Sequence, residues 1–383
     1  MGAPAVSQEL VNPAARTGSG AERFQVLDGL RGIAAFAVIL DHVPTGRLGD
    51  LIPSRYLSVD FFFVLSGFVL AHAYGARLEQ GWSVWSLMRV RLIRLYPLYF
   101  AGLLLALTVA VLRMVQASQG ETSPYILVWS VPDLLTWAAF GLLFLPQMVA
   151  FGQGSLYPIN SPSWSLFFEL VVNFVYGLIA RFLSWRVLGL LLAAGAVLLV
   201  VGVLNHSGLG GPGWVWEHFD AGLGRVMFCF FAGVAIYRLR SVIRIPAIPW
   251  WLAVPGFLAI IAVPPPPQWI APYSAFAAIV LIPVLVALSA GAKVSGPVAW
   301  ACGVFGTLSY GVYVLHVPIL DYLRTPHIGI VFGMNAWAAI IVASVAGVSA
   351  AVLHQFYDKP VRRWLMRVLP GGAPRQKIPQ SGG

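Results

Sequence analysis

Eleven long apolar runs constrain the fold of this chain more than any other feature of its sequence. Most approach or exceed the roughly 17–25 predominantly apolar residues with which a helix spans a bilayer. Only 10% of the 383 residues are charged, against about 25% in soluble domains. The sequence therefore predicts an all-α, polytopic bundle of transmembrane helices. The runs lie near residues 27–46, 57–75, 95–115, 126–146, 164–183, 187–204, 223–238, 250–265, 271–290, 302–320 and 335–356.

The basic residues between the runs reduce the expected number of spanning helices to about ten. Lys and Arg collect on the cytoplasmic side of membrane proteins. The basic clusters of this chain all fall on one side only if run 126–146, which Pro132 and Asp133 interrupt, does not cross. We therefore expect both termini to be cytoplasmic and residues 116–163 to form a long outer segment.

The ends of the chain differ in composition from its middle. Residues 1–23 and 370–383 are rich in Pro, Gly and polar residues, which predicts disordered cytoplasmic segments. Residues 24–369 are expected to form one transmembrane domain of a multi-pass protein in the cytoplasmic (inner) membrane. The net charge of +10 is spread between apolar runs and predicts no nucleic-acid partner. Cys229 and Cys302 stand alone in apolar stretches, so no disulfide and no metal site is expected.

Arg31 and His42 are ionisable residues within the first apolar run. Eleven residues make close to three helical turns, so both side chains share one face, roughly 16–17 Å apart along the axis. Asp28 lies at i−3 to Arg31 and can pair with it, whereas Asp41 points away from the face of His42. A charged residue embedded in a membrane suggests a functional site. Considered one at a time, however, Arg31 and His42 are explained almost equally well by positions near the ends of a helix.

Glu169 lies in the fifth predicted span, among Phe167, Phe168 and Leu170. A carboxylate in that setting must be protonated, paired or directed into a polar cavity. By the predicted topology Glu169 and His42 occupy a similar depth, which favours a base and its orienting acid. The alternative is an ion pair with an arginine such as Arg225 that locks two helices together.

Further polar residues are expected in the outer half of the bundle: Asp60, Ser66, Arg225, Tyr313 and His316. Ser66 is followed by Gly67, and small residues also let transmembrane helices approach closely. His316 is equally typical of a hydrogen bond between packed helices.

Arg91 and Arg94 precede the third span at a spacing of i, i+3. They present guanidinium groups on one face, and the guanidinium fork suits phosphate. A topological anchor explains the same residues about as well. The tail segment YDKPVRRW, residues 357–364, is interpreted as an anchor more than a site.

Five of these segments, in this order, resemble the acyltransferase 3 family of bacterial membrane O-acyltransferases over about residues 24–364. An Arg followed by ten residues and a His is matched by Arg31 and His42. The remaining segments are FFFVLSGF at 61–68, an R-x-x-R-x-x-P element at 91–97, Trp164-Ser165-Leu166 with Glu169, and SYGVYVLHVP at 309–318. The second acidic residue that often follows the fourth motif is replaced by Leu170.

The resemblance implies an activity and roles for these residues. The donor would be acetyl-CoA or a similar acyl-CoA, with no tightly bound cofactor, and the acceptor a hydroxyl of a saccharide or other small molecule. His42 would act as general base assisted by Glu169, and Arg31, Arg91 and Arg94 would bind the donor. Substrate-binding or supporting roles fall to Asp28, Asp60, Ser66, Trp164, Ser165, Arg225, Tyr313 and His316.

Two alternatives stay open at this point. The acyl group could pass through a covalent intermediate on His42 or Ser66. A transporter or flippase that uses His and Glu as a proton relay is the competing function, although the sequence contains no inverted repeat.

Overall fold

A computed structural model describes residues 24–43, 47–121, 129–148, 154–206, 211–325 and 336–369. The predicted disordered segments 1–23 and 370–383 lie outside the described residues. The described residues form helices joined by loops. The helices are α1 Gln25–His42, α2 Ser58–Glu79, α3 Val84–Ser118, α4 Val131–Leu142, α5 Ser163–Ile179, α6 Trp185–Asn205, α7 Phe219–Leu239, α8 Trp250–Ala262, α9 Ile270–Phe276 continued by a π turn Ala277–Leu281 and by Ile282–Ser289, α10 Gly296–Leu323, and α11 Ala336–Leu353 continued by a π turn His354–Asp358 and by Lys359–Val368.

Eight helical stretches in the described residues are long and apolar enough to cross a membrane. Two further helices correspond to predicted spans but fall short of these limits. α1 carries Asp28, Arg31 and Asp41 within its 18 residues, and α8 has only 13 residues. The all-helical membrane architecture is thus confirmed, whereas the number ten and the cytoplasmic position of both termini stay predictions. α4, at the run that was expected not to cross, has 12 residues.

Small residues let the helices around the site approach closely. A Cβ on Gly32 of α1 would overlap Phe305 of α10, and a Cβ on Gly306 would meet Asp28. The same holds for α2 and α7, where a Cβ on Gly67 would overlap the backbone of Phe230. Without a hydrophobic driving force between helices in lipid, such close contacts supply the packing energy.

α1 and α5 lie between the two buried apolar clusters of the bundle, because residues of both helices belong to both clusters. Leu27, Leu30 and Ala34 pack into the cluster formed with α2, α5, α6, α7, α8 and α9. Val38 and Ile39 pack into the second cluster, with α3, α5, α10 and α11. Arg31 of α1 and Glu169 of α5 therefore lie on helices that join the two halves of the core.

Candidate functional site

A cavity of about 290 Å³ opens between α1, α2, α3, α5, α10 and α11. Its wall combines apolar side chains with four arginines and one carboxylate. The polar and charged lining residues are Arg31, Ser66, Arg91, Arg94, Ser165, Glu169, Thr307, Ser309, Tyr310, Tyr313, His354 and Arg362. Seven of the residues singled out in the sequence as catalytic, donor-binding or supporting are thus brought together here. They are Arg31, Ser66, Arg91, Arg94, Ser165, Glu169 and Tyr313.

Glu169 forms an ion pair with Arg91. Its Oε1 also accepts a hydrogen bond from the Ser66 hydroxyl at 2.8 Å. The Nε of Arg91 is buried and has no hydrogen-bond partner in the described part of the chain. Because three helices meet at this carboxylate, Glu169 fixes the position of Arg91 on the cavity wall.

Arg31 is held at the edge of the same cavity by α1 and α10. It pairs with Asp28 at 3.1 Å, as the i, i+3 spacing indicates. Its Nε donates a hydrogen bond to the Ser309 hydroxyl at 3.0 Å, and its Nη2 donates one to the Gly306 carbonyl. The Arg31 guanidinium is therefore oriented before any ligand binds.

Arg94 is the most exposed of the four cavity arginines. Arg31, Arg91 and Arg362 each pair with a carboxylate, whereas Arg94 forms no ion pair with the described residues. Like charges that crowd one cavity are stabilised by an anion between them. The electrostatics of the cavity thus favour an anionic ligand.

α10 connects this cavity to a pair of histidines. Ser309, Tyr313 and His316 stand at i, i+4 and i+7, so they lie on one face and extend over about 10 Å of helix. The Tyr313 hydroxyl is 2.6 Å from the Ser165 hydroxyl, and its ring centroid is 6.0 Å from that of His316. Tyr313 therefore lines the cavity on one side and packs against His316 on the other.

His42 and His316 form a hydrogen-bonded pair beyond Tyr313. His316 is fully buried, and its Nδ1 lies 3.2 Å from the Val312 carbonyl. A carbonyl oxygen only accepts hydrogen bonds, so this Nδ1 carries the hydrogen and the Nε2 of a neutral His316 is an acceptor. That Nε2 lies 3.3 Å from Nδ1 of His42.

The same reasoning fixes the tautomer of His42. Its Nδ1 lies 3.0 Å from the Val38 carbonyl as well as near His316, so Nδ1 is the donor to both. The Nε2 of His42 then carries a free lone pair, and it makes no hydrogen bond with the described residues. This is the protonation state that a general base requires.

The predicted contact between Glu169 and His42 is wrong. Glu169 binds Arg91 and Ser66, and His316 occupies the place beside the His42 ring. The expectation that Glu169 and His42 lie at a similar depth in the membrane stays a prediction. Asp41 pairs with Arg55 at 3.3 Å, in agreement with its expected direction away from His42.

Arg225 does not pair with Glu169 either, because its partner is Asp60. The two side chains form a two-pronged ion pair with distances of 2.9 and 2.8 Å. The third guanidinium nitrogen donates to the Pro212 carbonyl, and Trp164 packs against the guanidinium at 5.5 Å. Asp60, Trp164 and Arg225 thus form a separate buried group that joins α2, α5 and α7 and does not line the cavity.

His354, Arg362 and Ser309 are cavity residues that the sequence analysis did not assign to the site. The interpretation of residues 357–364 as an anchor is incomplete, because Arg362 contributes to the cavity. One sequence signal was available: Asp358 is an isolated acidic residue just before a basic run. Within the described residues, no group of three or more His, Cys, Asp or Glu side chains is placed to hold a metal ion.

Comparison with known proteins provides an independent result. The family model described as "Acyltransferase domain" (Acyl_transf_3) matches residues 24–355. The chain is similar to "Acyltransferase MdmB" of Streptomyces mycarofaciens, at 27% identity over 91% of this chain and 94% of that protein. It is also similar to "Protein 2 in picA locus" of Rhizobium radiobacter, at 38% identity over 47% of this chain and 94% of that protein. No solved structure matches the chain.

Proposed function

This chain belongs to the acyltransferase 3 family, and we propose that it transfers an acyl group from acyl-CoA to a hydroxyl of a saccharide or other small acceptor. Its family and its apolar helices make it a multi-pass membrane acyltransferase. Acetyl is the acyl group that we expect, and the cytoplasmic membrane is the expected location. The identities of the donor and the acceptor, and the roles of individual residues, are what we propose.

The observation that carries the proposal is the cluster of four arginines on one cavity wall inside the bundle. Coenzyme A is a polyanion that carries a diphosphate and a 3′-phosphate, and guanidinium groups bind phosphate through paired hydrogen bonds. Arg31, Arg91 and Arg94 bind the phosphates in this proposal. Glu169 and Asp28 act through their ion pairs with Arg91 and Arg31, which they hold in place.

The chemical step takes place at the histidine pair. The Nε2 of His42 accepts the proton of the acceptor hydroxyl while the hydroxyl oxygen attacks the thioester carbonyl carbon. The carbon–sulfur bond then breaks, coenzyme A leaves as a thiolate, and the thiolate takes up the proton to leave an ester and a free thiol. His316 stabilises the imidazolium by accepting from Nδ1 of His42.

The acyl end of the donor must pass Tyr313 to reach His42. Tyr313 lines the cavity and packs against His316, so we propose that its side chain moves when the thioester arrives. Ser66 offers a second route, in which it carries the acyl group before the acceptor does. Its hydroxyl is bound to Glu169 at the cavity wall.

The test is the release of free thiol from acyl-CoA by purified protein supplied with hydroxyl acceptors. His42→Ala should lower the transfer rate by about 10²–10⁴-fold, the usual contribution of a general base. Coenzyme A binding should survive, because Arg31 lies roughly three helical turns from His42 and Arg91 and Arg94 belong to another helix. His206→Ala is the matched control, since His206 has a carboxylate neighbour, Asp220 at 3.3 Å, but lies outside the cavity.

Three outcomes distinguish the alternatives. Near-native turnover by His42→Ala would mean that another group is the base. A stable acyl adduct on Ser66 or His42 after incubation with acyl-CoA alone would favour the two-step route. A transporter or flippase would release no thiol with any acceptor.

A further inference from the structure

The second half of α11 changes its helical geometry next to the cavity. A π turn, His354–Asp358, separates Ala336–Leu353 from Lys359–Val368. π turns are rare and occur frequently at functional sites. Residues 356–368 also lie beyond the region that the family model matches, so the family match assigns them no role.

A buried carboxylate holds two cavity residues within this segment. Asp358 has 0% of its surface exposed. Its Oδ2 lies 2.9 Å from Nδ1 of His354, and its Oδ1 lies 2.7 Å from Nε of Arg362. The two partners stand at i−4 and i+4, and both line the cavity. Asp358 therefore directs an imidazole and a guanidinium toward the same space.

The packing of α11 on α10 gives the position of these two residues along the cavity. A Cβ on Gly311 would meet Ala350, so these residues lie at one level of the antiparallel pair. The backbone of His354 is about 6 Å from that level, toward the start of α10. Arg362 stands eight residues farther along the same helix, beyond the π turn. The backbone of His316 lies about 7.5 Å in the opposite direction. Arg362 is thus at the end of the cavity away from the histidine pair.

We propose that Arg362 and His354, positioned by Asp358, form a separate phosphate subsite that takes the 3′-phosphate of the coenzyme A donor. This inference rests on the proposed function, in which the donor is acyl-CoA. The 3′-phosphate is the phosphate farthest from the thioester along coenzyme A, and Arg362 lies at the end of the cavity away from His316. The proximity of Arg94 and Arg362 adds a second cation to this end.

The ion pair with Asp358 leaves hydrogen-bond donors of Arg362 available for a ligand. Asp358 pairs with Nε, and the two terminal nitrogens form no hydrogen bond with the described residues, so they can form a fork with a phosphate. A phosphate bound there would also be near His354, whose Nδ1 is directed to Asp358 and whose Nε2 is left for the ligand. The geometry favours a specific anion subsite over a general basic surface.

The experiment compares coenzyme A with 3′-dephospho-coenzyme A on the full-length protein in neutral detergent, by isothermal titration calorimetry. For Arg362→Gln we expect coenzyme A binding to weaken by about tenfold to a hundredfold, the effect of a lost charge-assisted hydrogen bond. Binding of 3′-dephospho-coenzyme A should change by less than about threefold. Asp358→Asn should also lower the preference for coenzyme A over 3′-dephospho-coenzyme A, but by a smaller factor. Arg362→Lys should retain part of the preference that Arg362→Gln loses.

Arg363→Gln is the matched control, because Arg363 is an adjacent, exposed arginine outside the cavity. It should bind both ligands as the unmodified protein does. The ratio of the two dissociation constants does not depend on the fraction of folded protein, so a partly unfolded variant still gives an answer.

The outcomes separate the two proposals. Failure of the unmodified protein to bind coenzyme A overturns the proposed function and this inference together. If the unmodified protein binds coenzyme A but Arg362→Gln weakens the binding of both ligands equally, the inference alone is overturned. The inference alone is also overturned if Arg363→Gln weakens coenzyme A binding as much as Arg362→Gln does. A lipid phosphate is the other source of the same chemistry. Normal coenzyme A binding by Arg362→Gln, with loss of phosphatidylglycerol binding in nanodiscs, would assign Arg362 to lipid and overturn the inference.

Discussion

Arg225–Asp60 and Arg91–Glu169 are both arginine–carboxylate pairs between helices of this bundle, and they differ in their surroundings. In Arg225–Asp60 the side chains are 3% and 2% exposed, and every guanidinium nitrogen has a partner. The space beside that pair is only about 10 Å³. In Arg91–Glu169 the Nε of the arginine lacks a partner, and the adjoining cavity measures about 290 Å³.

The difference shows when an intramembrane charge belongs to a site. Charged residues in spanning helices are functional hypotheses by default, and the sequence alone treats both pairs alike. A pair with complete hydrogen bonding and almost no adjoining space has no room for a ligand, so Arg225–Asp60 joins helices. A pair with an unused donor beside a cavity of like-charged arginines is prepared for an anion. The predictions below test this distinction.

The largest effect is expected from Arg225→Ala. The change leaves Asp60 charged and buried without a partner, which typically costs about 3–5 kcal/mol. The free energy of unfolding should fall by that amount, as measured by tryptophan fluorescence during denaturant unfolding in detergent. Arg186→Ala is the control, since Arg186 is exposed, and it should change stability by less than about 0.5 kcal/mol.

A double variant sharpens this test. Arg225→Met with Asp60→Leu removes both charges, and apolar replacements of buried ion pairs are often neutral or stabilising. We expect it to be more stable than either single variant and to retain coenzyme A binding. Loss of coenzyme A binding by a folded double variant would contradict the purely structural role of this pair.

The sequence predicted the members of the site better than their pairing. Helical spacing alone correctly placed Asp28 beside Arg31 and turned Asp41 away from His42. It could not reveal that Glu169 binds Arg91, because these residues are 78 positions apart on different helices. Local periodicity specifies the face of a helix but not its neighbours around the bundle.

Residues near the end of the chain show a second limit. His354 and Arg362 reach the cavity through a π turn, and a π turn changes the face that later residues present. Spacing rules for a regular α-helix do not apply across it. The positive-inside pattern of residues 359–367 also has a topological explanation, which concealed the contribution of Arg362.

An intermediate effect is expected from Glu169→Gln. The amide oxygen can still accept from Arg91 and Ser66, but the charge that holds Arg91 is lost. A hydrogen bond to a charged group is worth about 1.5–3 kcal/mol, so the transfer rate should fall by roughly tenfold to a hundredfold. The loss of stability should be smaller than for Arg225→Ala, because water in the cavity can solvate Arg91.

Glu79→Gln is the control for that measurement. Glu79 pairs with Arg238 at 2.6 Å and is 51% exposed, so this is a similar ion pair outside the cavity. Its loss should leave the transfer rate unchanged. If Glu169→Gln instead lowers stability as much as Arg225→Ala and a folded fraction transfers at the normal rate, then Arg91–Glu169 is structural and the two pairs do not differ.

The smallest effect is expected from Tyr313→Phe, which alters the boundary between the cavity and the histidine pair. It removes the hydroxyl bonded to Ser165 at 2.6 Å and should cost about 0.5–1.5 kcal/mol of stability. Tyr99→Phe is matched to it, because Tyr99 is equally buried and donates to the Gly141 carbonyl at 2.7 Å, outside the cavity. Stability should fall similarly in both variants, but only Tyr313→Phe should change the transfer rate, since only Tyr313 lies between the donor cavity and His316. Equal transfer rates in the two variants would mean that Tyr313 is a packing residue and that the acyl group reaches His42 by another path.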